Sequence, residues 1–310
     1  MSTAHLHTIE SKPLSKILNR IGNTTLLELN SFSTNKVRIF AKLEWEQLGG
    51  SVKARPAAYM IKDTLTNAPL KNGERLLEAT SGNTGIALAQ IAEQAGLPIT
   101  IVLPKNAGRK RIELLEEAGA EIIFSSPLDG TDGAQILAKH LKDKYPGKYR
   151  YLDQYNNENN YRSHVLTTGP EIWKQTNGEV THFITGLGTS GSFRGISTYL
   201  KDRSDQIKSI ALQPDIPMHG LEGWKHMESA RVPGIYDPTL ADKQWAISTE
   251  EAFRFLEDAY RKERLWISPS SAANLAGAVR LAETLQRGTI VTLFPDDGTK
   301  YIDHFNPFAK

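Results

Sequence analysis

The sequence contains no cysteine in its 310 residues. That excludes disulfides, thiolate metal ligands and a cysteine nucleophile, and it suits a reducing compartment. It has little net charge, formally +2, which gives no argument for binding nucleic acid or a membrane surface. Long apolar runs are also missing. None approaches the roughly 18 residues of a membrane span, and the polar stretch 1–12 lacks the apolar segment of a signal peptide, so a loose tail on a cytoplasmic protein is expected. What is present, 39 % hydrophobic and 23 % charged residues, describes an ordinary globular chain long enough for two domains or one large α/β unit.

The pattern along the chain is an alternation of strand and helix. Leu14, Ile17, Leu18 and Ile21 share a short helical face, and strands are predicted over 25–29 and 37–43. The segment 54–66 reads as a helix. Strands at 74–79, 99–103 and 121–124 then alternate with helices at 86–95, 109–118 and 131–144. A strand at 149–153 precedes the polar run 154–160, the best candidate for a linker. One helix over 162–176, strands at 182–185 and 207–212, and a helix at 193–201 follow. An irregular, functional-looking stretch covers 214–242. Helix 249–261, strand 265–267, helix 271–286 and strand 289–294 close the chain. Such alternation with short loops implies right-handed parallel βαβ units, whose ligands bind at the carboxyl ends of the strands.

Three segments carry chemistry. Gly49-Gly50-Ser51-Val52-Lys53 puts a reactive amine just after a glycine turn and at the start of a helix, where the local field disfavours an ammonium ion. That field and partial burial would lower its pKa and leave more free amine for a carbonyl; the alternative is an ordinary surface lysine. Gly186-Leu187-Gly188-Thr189-Ser190-Gly191-Ser192 lies between a strand and a helix and fits G-x-G-x-x-G, with Asp215 further on in the range of a dinucleotide signature. Its three hydroxyls suit a terminal phosphate monoester better than a pyrophosphate, and its position past mid-chain argues against a dinucleotide domain. Thr80-Ser81-Gly82-Asn83-Thr84-Gly85 is a second strand-to-helix loop, either a capping turn or a holder of an α-carboxylate. Two anion-holding loops and an activated lysine together point to pyridoxal phosphate and an amino acid. By contrast, Asp296-Asp297-Gly298 reads as a turn, the eight histidines lack metal-ligand spacing, Arg109-Lys110-Arg111 reads as a solvated helix start, and Trp173 and Trp224 read as packing. No metal is expected.

The segments Ser51–Pro56, Glu78–Ala89, Gly169–Trp173, Gly188–Ser192 and Pro269-Ser270-Ser271 occur in an order that resembles the cysteine synthases (O-acetylserine sulfhydrylases), closest to the B-type branch of the fold-type II pyridoxal phosphate enzymes. The resemblance covers about 15–302. It implies two doubly wound α/β domains of the tryptophan synthase β kind with the cofactor between them: a small mobile domain, 48–155, and a large one, 1–47 plus 156–310. It implies that Lys53 carries the cofactor as an imine and works as base and acid at Cα. Asn83 would bond the cofactor's 3′-oxygen, Gly188, Thr189, Ser190, Gly191 and Ser192 its phosphate, and Ser270 its pyridine nitrogen. Thr80, Ser81, Thr84 and Gln154 would hold the substrate carboxylate, and Lys225 would meet a phosphate leaving group or an anionic sulfur donor. Ala54, Gln47-Leu48 and Ser271-Ala272-Ala273 depart from the family pattern. The reaction implied is β-replacement on acetylserine or phosphoserine through an α-aminoacrylate, with sulfide or another sulfur donor giving L-cysteine in a homodimer. Other readings stand beside it: a cystathionine β-synthase-like or diaminopropionate-forming enzyme, a nicotinamide-dependent dehydrogenase, and a non-catalytic paralogue.

Overall fold

The computed structural model describes residues 12–67 and 69–302, so the tail expected at 1–12 lies outside the described residues except for Lys12. Ten strands form two sheets. We label them β1 (Leu26–Glu28), β2 (Val37–Leu43), β3 (Arg75–Ala79), β4 (Ile99–Pro104), β5 (Glu121–Ser125), β6 (Tyr149–Tyr151), β7 (His182–Gly186), β8 (Lys208–Pro214), β9 (Lys243–Ile247) and β10 (Gly288–Phe294). The larger sheet runs β1-β2-β10-β7-β8-β9 and the smaller β5-β4-β3-β6. Only the β1–β2 pair is antiparallel. Helices cover both faces of each sheet, as parallel strands require. The larger sheet is sandwiched by one cluster around Ile39, Ile184 and Leu275 and another around Phe183, Phe193 and Val291. The smaller lies between the cluster of Met60, Ile86 and Leu103 and that of Leu77, Val102 and Ala134.

Most expected elements form within a few residues of their predicted ends; two differ, and one strand was not expected. The helix expected over 162–176 is two, Asn159–Leu166 and Thr168–Gln175, broken at Thr167 with φ −128° and ψ −69°. Pro170 has no N–H for Leu166 and its ring crowds that turn. The strand expected at 265–267 is a single antiparallel bridge, Ile267 to Asp297, because Ser268-Pro269 starts a helix at once. The edge strand β9 lay unnoticed beside the irregular stretch; it is short, opens on the polar pair Lys243-Gln244 and buries only Ile247.

A buried ion cluster fixes how the chain leaves β2. The Arg55 guanidinium, fully buried, donates to both Glu44 oxygens at 2.7 and 2.8 Å and to both Glu171 oxygens at 2.6 and 2.8 Å. Lys42 approaches Glu171 at 2.8 Å, and Thr24 donates to Glu44 at 2.8 Å. Burial alone would raise the Glu171 carboxyl, yet the bonds and charge of Arg55, then Lys42, hold it at about 2. Its contribution to stability is therefore complete above the usual carboxylate range and fades as pH falls from 4.5 toward about 2. Removing the guanidinium while both carboxylates stay buried, Arg55→Ala, is expected to cost roughly 3–5 kcal/mol in urea unfolding. Between pH 5 and pH 3 the wild type should lose stability more steeply than Glu171→Gln, by up to about 3 kcal/mol over the full titration; parallel pH profiles would contradict this account of the cluster.

Candidate active site

Each sheet has one place where the strand order reverses. In the larger sheet it falls between β7 and β10, in the smaller between β3 and β6. Loops diverge there at the carboxyl ends of the strands and leave a crevice. The loops after β7 and β10 face those after β3 and β6 across one cleft of about 880 Å³. Lys53, Asn83, Gly188 and Thr189 line it, as do Thr80, Ser81, Thr84, Gln154 and Lys225. Ser190, Gly191, Ser192 and Ser270 are not in its wall.

Lys53 immediately precedes the helix Ala54–Asn67. The turn before it requires glycine: Gly49 and Gly50 have φ of +84° and +56°, and a Cβ on Gly49 would sit 3.0 Å from that of Ala87. Two residues past Lys53, Arg55 is locked in the ion cluster, so the lysine has a fixed backbone origin. Its Nζ makes no hydrogen bond to a described residue. Burial lowers its pKa, against the pull of Asp296 and Glu44 and with the repulsion of Lys300. Desolvation leads, where the sequence had also suggested the helix field.

The 186–192 loop joins β7 to the helix Gly191–Arg203. A Cβ on Gly188 would fall 2.1 Å from the Gly223 carbonyl oxygen, and one on Gly191 1.9 Å from Asn160 Oδ1, so both positions exclude any side chain. Ser190 is left-handed at φ +67°, and its buried Oγ has no hydrogen-bond partner among the described residues. Thr189 Oγ1 accepts from Asn160 Nδ2 at 3.1 Å. An unpaired buried hydroxyl beside backbone N–H groups at a helix start can take a phosphate's oxygens. With the desolvated, unpaired Lys53 side chain in the same cleft, these residues fit pyridoxal phosphate.

On the opposite wall, the helix Asn83–Ala95 starts directly after β3's loop. Thr84 Oγ1 donates to Gln154 Oε1 at 2.7 Å, and Gln154 Nε2 donates to the Ala79 carbonyl at 2.8 Å. Asn83 is shared: Nδ2 donates to Asp296 Oδ2 at 2.8 Å, while Oδ1 accepts from Lys300 Nζ at 3.0 Å. Tyr301 Oη also donates to Asp296 at 2.8 Å, and Lys300 donates to the Gly50 carbonyl at 2.7 Å. Arg111 pairs with Glu222 and stacks over Tyr301 at 5.0 Å.

Sequence reasoning missed this group. Asp297 is the turn residue expected, accepting from the Thr299 N–H at 3.1 Å, but its neighbour Asp296 is fully buried behind the cleft. Arg111 is likewise no solvated helix start: it lies against Ser81 and Gly82. Trp224 does pack, over Gly186, but in the cleft wall. Only the adjacency of Lys300-Tyr301 to the Asp-Asp-Gly turn signalled this corner. Lys225 reaches the cleft with its charge already met by Asp132 at 2.7 Å. Ser270 is buried, its Oγ 3.2 Å from that of Ser268, whose own Oγ caps the helix Pro269–Glu283. Among the described residues, no group of three or more His, Asp or Glu is arranged to hold a metal, and no helix is long and apolar enough to cross a membrane.

Residues 17–296 match the family described as pyridoxal-phosphate dependent enzyme. The chain is 42 % identical to a cysteine synthase of Aquifex aeolicus over 94 % of its own length and 91 % of the relative's. It is 34 % identical to an O-acetylserine dependent cystathionine beta-synthase of Bacillus subtilis, covering 93 % of this chain and 96 % of that one. A solved cysteine synthase from Entamoeba histolytica superposes with a TM-score of 0.88 at 28 % identity, over 100 % of this chain and 95 % of its own. The chain belongs to the cysteine synthase family of pyridoxal-phosphate dependent enzymes.

Proposed function

We propose that this enzyme replaces the acetoxy group of O-acetyl-L-serine with sulfide, releasing acetate and forming L-cysteine. The observation that carries the reading is one cleft in which a desolvated amine, Lys53, stands between a phosphate-suited loop and a hydroxyl-rich loop at the two strand-order reversals. The relatives' activity supports the same conclusion.

Pyridoxal phosphate, when bound, supplies the electron-withdrawing ring that makes the substrate's Cα–H acidic and lets the β-substituent leave. The chain's residues do the rest. Lys53, its free amine favoured by burial, takes the α-proton and returns it to the same carbon after sulfide adds at Cβ. Thr80, Ser81, Thr84 and Gln154 hold the carboxylate. Gly188, Thr189, Ser190, Gly191 and Ser192 hold the cofactor's phosphate, and Asn83, braced by Asp296 and Lys300, meets its 3′-oxygen. Ser270 gives the pyridine nitrogen a neutral hydroxyl, which keeps the ring a moderate electron sink and favours β-elimination. The unit 48–155 moves onto the remainder to exclude water from the reacting carbons. The working enzyme is a homodimer, as the family resemblance implies, and its cysteine-free composition suits the cytoplasm.

The choice of acetyl over phosphate follows from the cleft's cations. Arg111 is paired with Glu222 and Lys225 with Asp132, while Lys300 donates to Asn83 and the Gly50 carbonyl. A phosphate leaving group would compete with the carboxylates that already compensate Arg111 and Lys225; an uncharged ester would not.

Adding O-acetylserine to purified holoenzyme should shift its visible band, and sulfide should restore it. Lys53→Ala should lower kcat/KM by about 10³-fold. If the spectrum ignored acetylserine while phosphoserine changed it, the donor assignment would fail. Gly188→Ala forces backbone apart at the Gly223 carbonyl and should reduce the cofactor retained per chain after dialysis, read by absorbance; retention equal to wild type would remove the 186–192 loop from the cofactor site.

A further inference from the structure

Glu78 is the one residue of β3 with an ionisable group fully buried next to the cleft wall, and the mechanism above does not use it. It stands at the strand-order reversal of the smaller sheet, one residue before the Ala79 carbonyl and opposite the chain leaving β6. Its carboxyl meets only N–H donors: the Ala79 backbone at 3.1 Å, the Gln154 backbone at 3.3 Å and Gln154 Nε2 at 3.3 Å. No cation pairs with it among the described residues.

The surrounding charges make this site hostile to a carboxylate. Along the β6 segment it faces Asp153 and the phenols of Tyr151 and Tyr155. From the helix Gly130–Lys144, Asp132 acts on Tyr155 and is itself held by Lys225 and the Arg231 N–H. The Arg231 guanidinium acts on Tyr151 and Asp132, not on Glu78. From β4, Ile101 lies beside Glu78 in register and carries no charge. Burial, then the charge of Asp153, pushes the carboxyl up to about 8, against the N–H bonds of Ala79 and Gln154.

Gln154 joins this carboxyl to the cleft. Its Nε2 serves Glu78 and the Ala79 carbonyl, and its Oε1 accepts from Thr84 on the loop proposed for the substrate carboxylate. A carboxylate arriving on that loop would be the second negative charge served by one buried amide. Like charges sharing a desolvated site cannot both stay ionised at low cost.

We propose that Glu78 is a positioning residue for the amino-acid carboxylate, holding Gln154 in place and taking up a proton from solvent as that carboxylate binds. The inference rests on the proposed function, because it assumes an amino acid in this cleft. By linkage, affinity falls as pH rises above the titration of Glu78, and the loss appears in KM rather than kcat.

The test is calorimetry of L-serine binding to holoenzyme at pH 8.5 in buffers of different ionisation enthalpy, for wild type and Glu78→Gln. The ligand's own amine contributes equally to both, so the difference reports Glu78. Wild type should take up a fraction of a proton more than the variant, and its dissociation constant, relative to the variant's, should rise about tenfold between pH 7 and pH 9. KM for O-acetylserine should follow the same ratio while the kcat ratio stays flat. Equal proton uptake, a flat ratio of dissociation constants, or a change confined to kcat would each overturn the proposal. Should the variant not fold, wild type alone decides: after correction for each ligand's amine, L-serinamide should lack the uptake seen with L-serine, and equal uptake would reject it. Wild type that made no cysteine from acetylserine and sulfide would instead reject the parent reading.

Discussion

A guanidinium buried between two carboxylates sets the geometry on which the cleft depends. Arg55 is bidentate to Glu44 at the end of β2 and to Glu171 on the helix Thr168–Gln175. Each partner belongs to a different part of the fold, so the first turn of the lysine-bearing helix is pinned to both. A buried pair of this kind adds little net stability over apolar packing, but losing one member is costly because the others remain charged. The cluster therefore specifies position. Lys53 can be desolvated and unpaired because its neighbour two residues on is held in place.

The second constraint is topological. Two sheets, parallel apart from the β1–β2 pair, each reverse strand order once, and the two reversals face each other. Gly188, which has no room for a side chain, lies in one wall, and a chain of hydroxyl and amide bonds closes the other. Between them the Asn83–Asp296–Lys300–Tyr301 group ties the loop after β3 to the loop after β10. Substrate would enter where both walls are already hydrogen-bonded, which favours a ligand bringing one carboxylate and little other charge.

Much of this was legible in the chain. The alternation of short β-branched runs with amphipathic helices has a period that neighbours hardly alter, so β2, β4 and β10 fell close to their expected ends. The lysine turn and both anion-suited loops were visible because glycine and hydroxyl residues at strand ends have few other uses. What stayed hidden depended on partners far away in sequence. Glu171 and Arg55 stood in quoted motifs without a role, since 116 positions separate them. Asp296 looked like half of a turn because its partners, Asn83 and Tyr301, come from both sides of the cleft. The pairing of Lys225 with Asp132 was equally unreadable, and it changes that lysine from a free cation to a neutralised one.

The sequence by itself determined the parallel α/β class, and it showed a lysine after a glycine turn and two hydroxyl-rich loops at strand ends, because local periodicity and residue chemistry decide those. The tertiary structure alone decided which charges are compensated and which buried groups are not. Glu78 and Lys53 owe their shifted titration to desolvation by elements distant in the chain, and burial of that kind exists only once the sheets have packed.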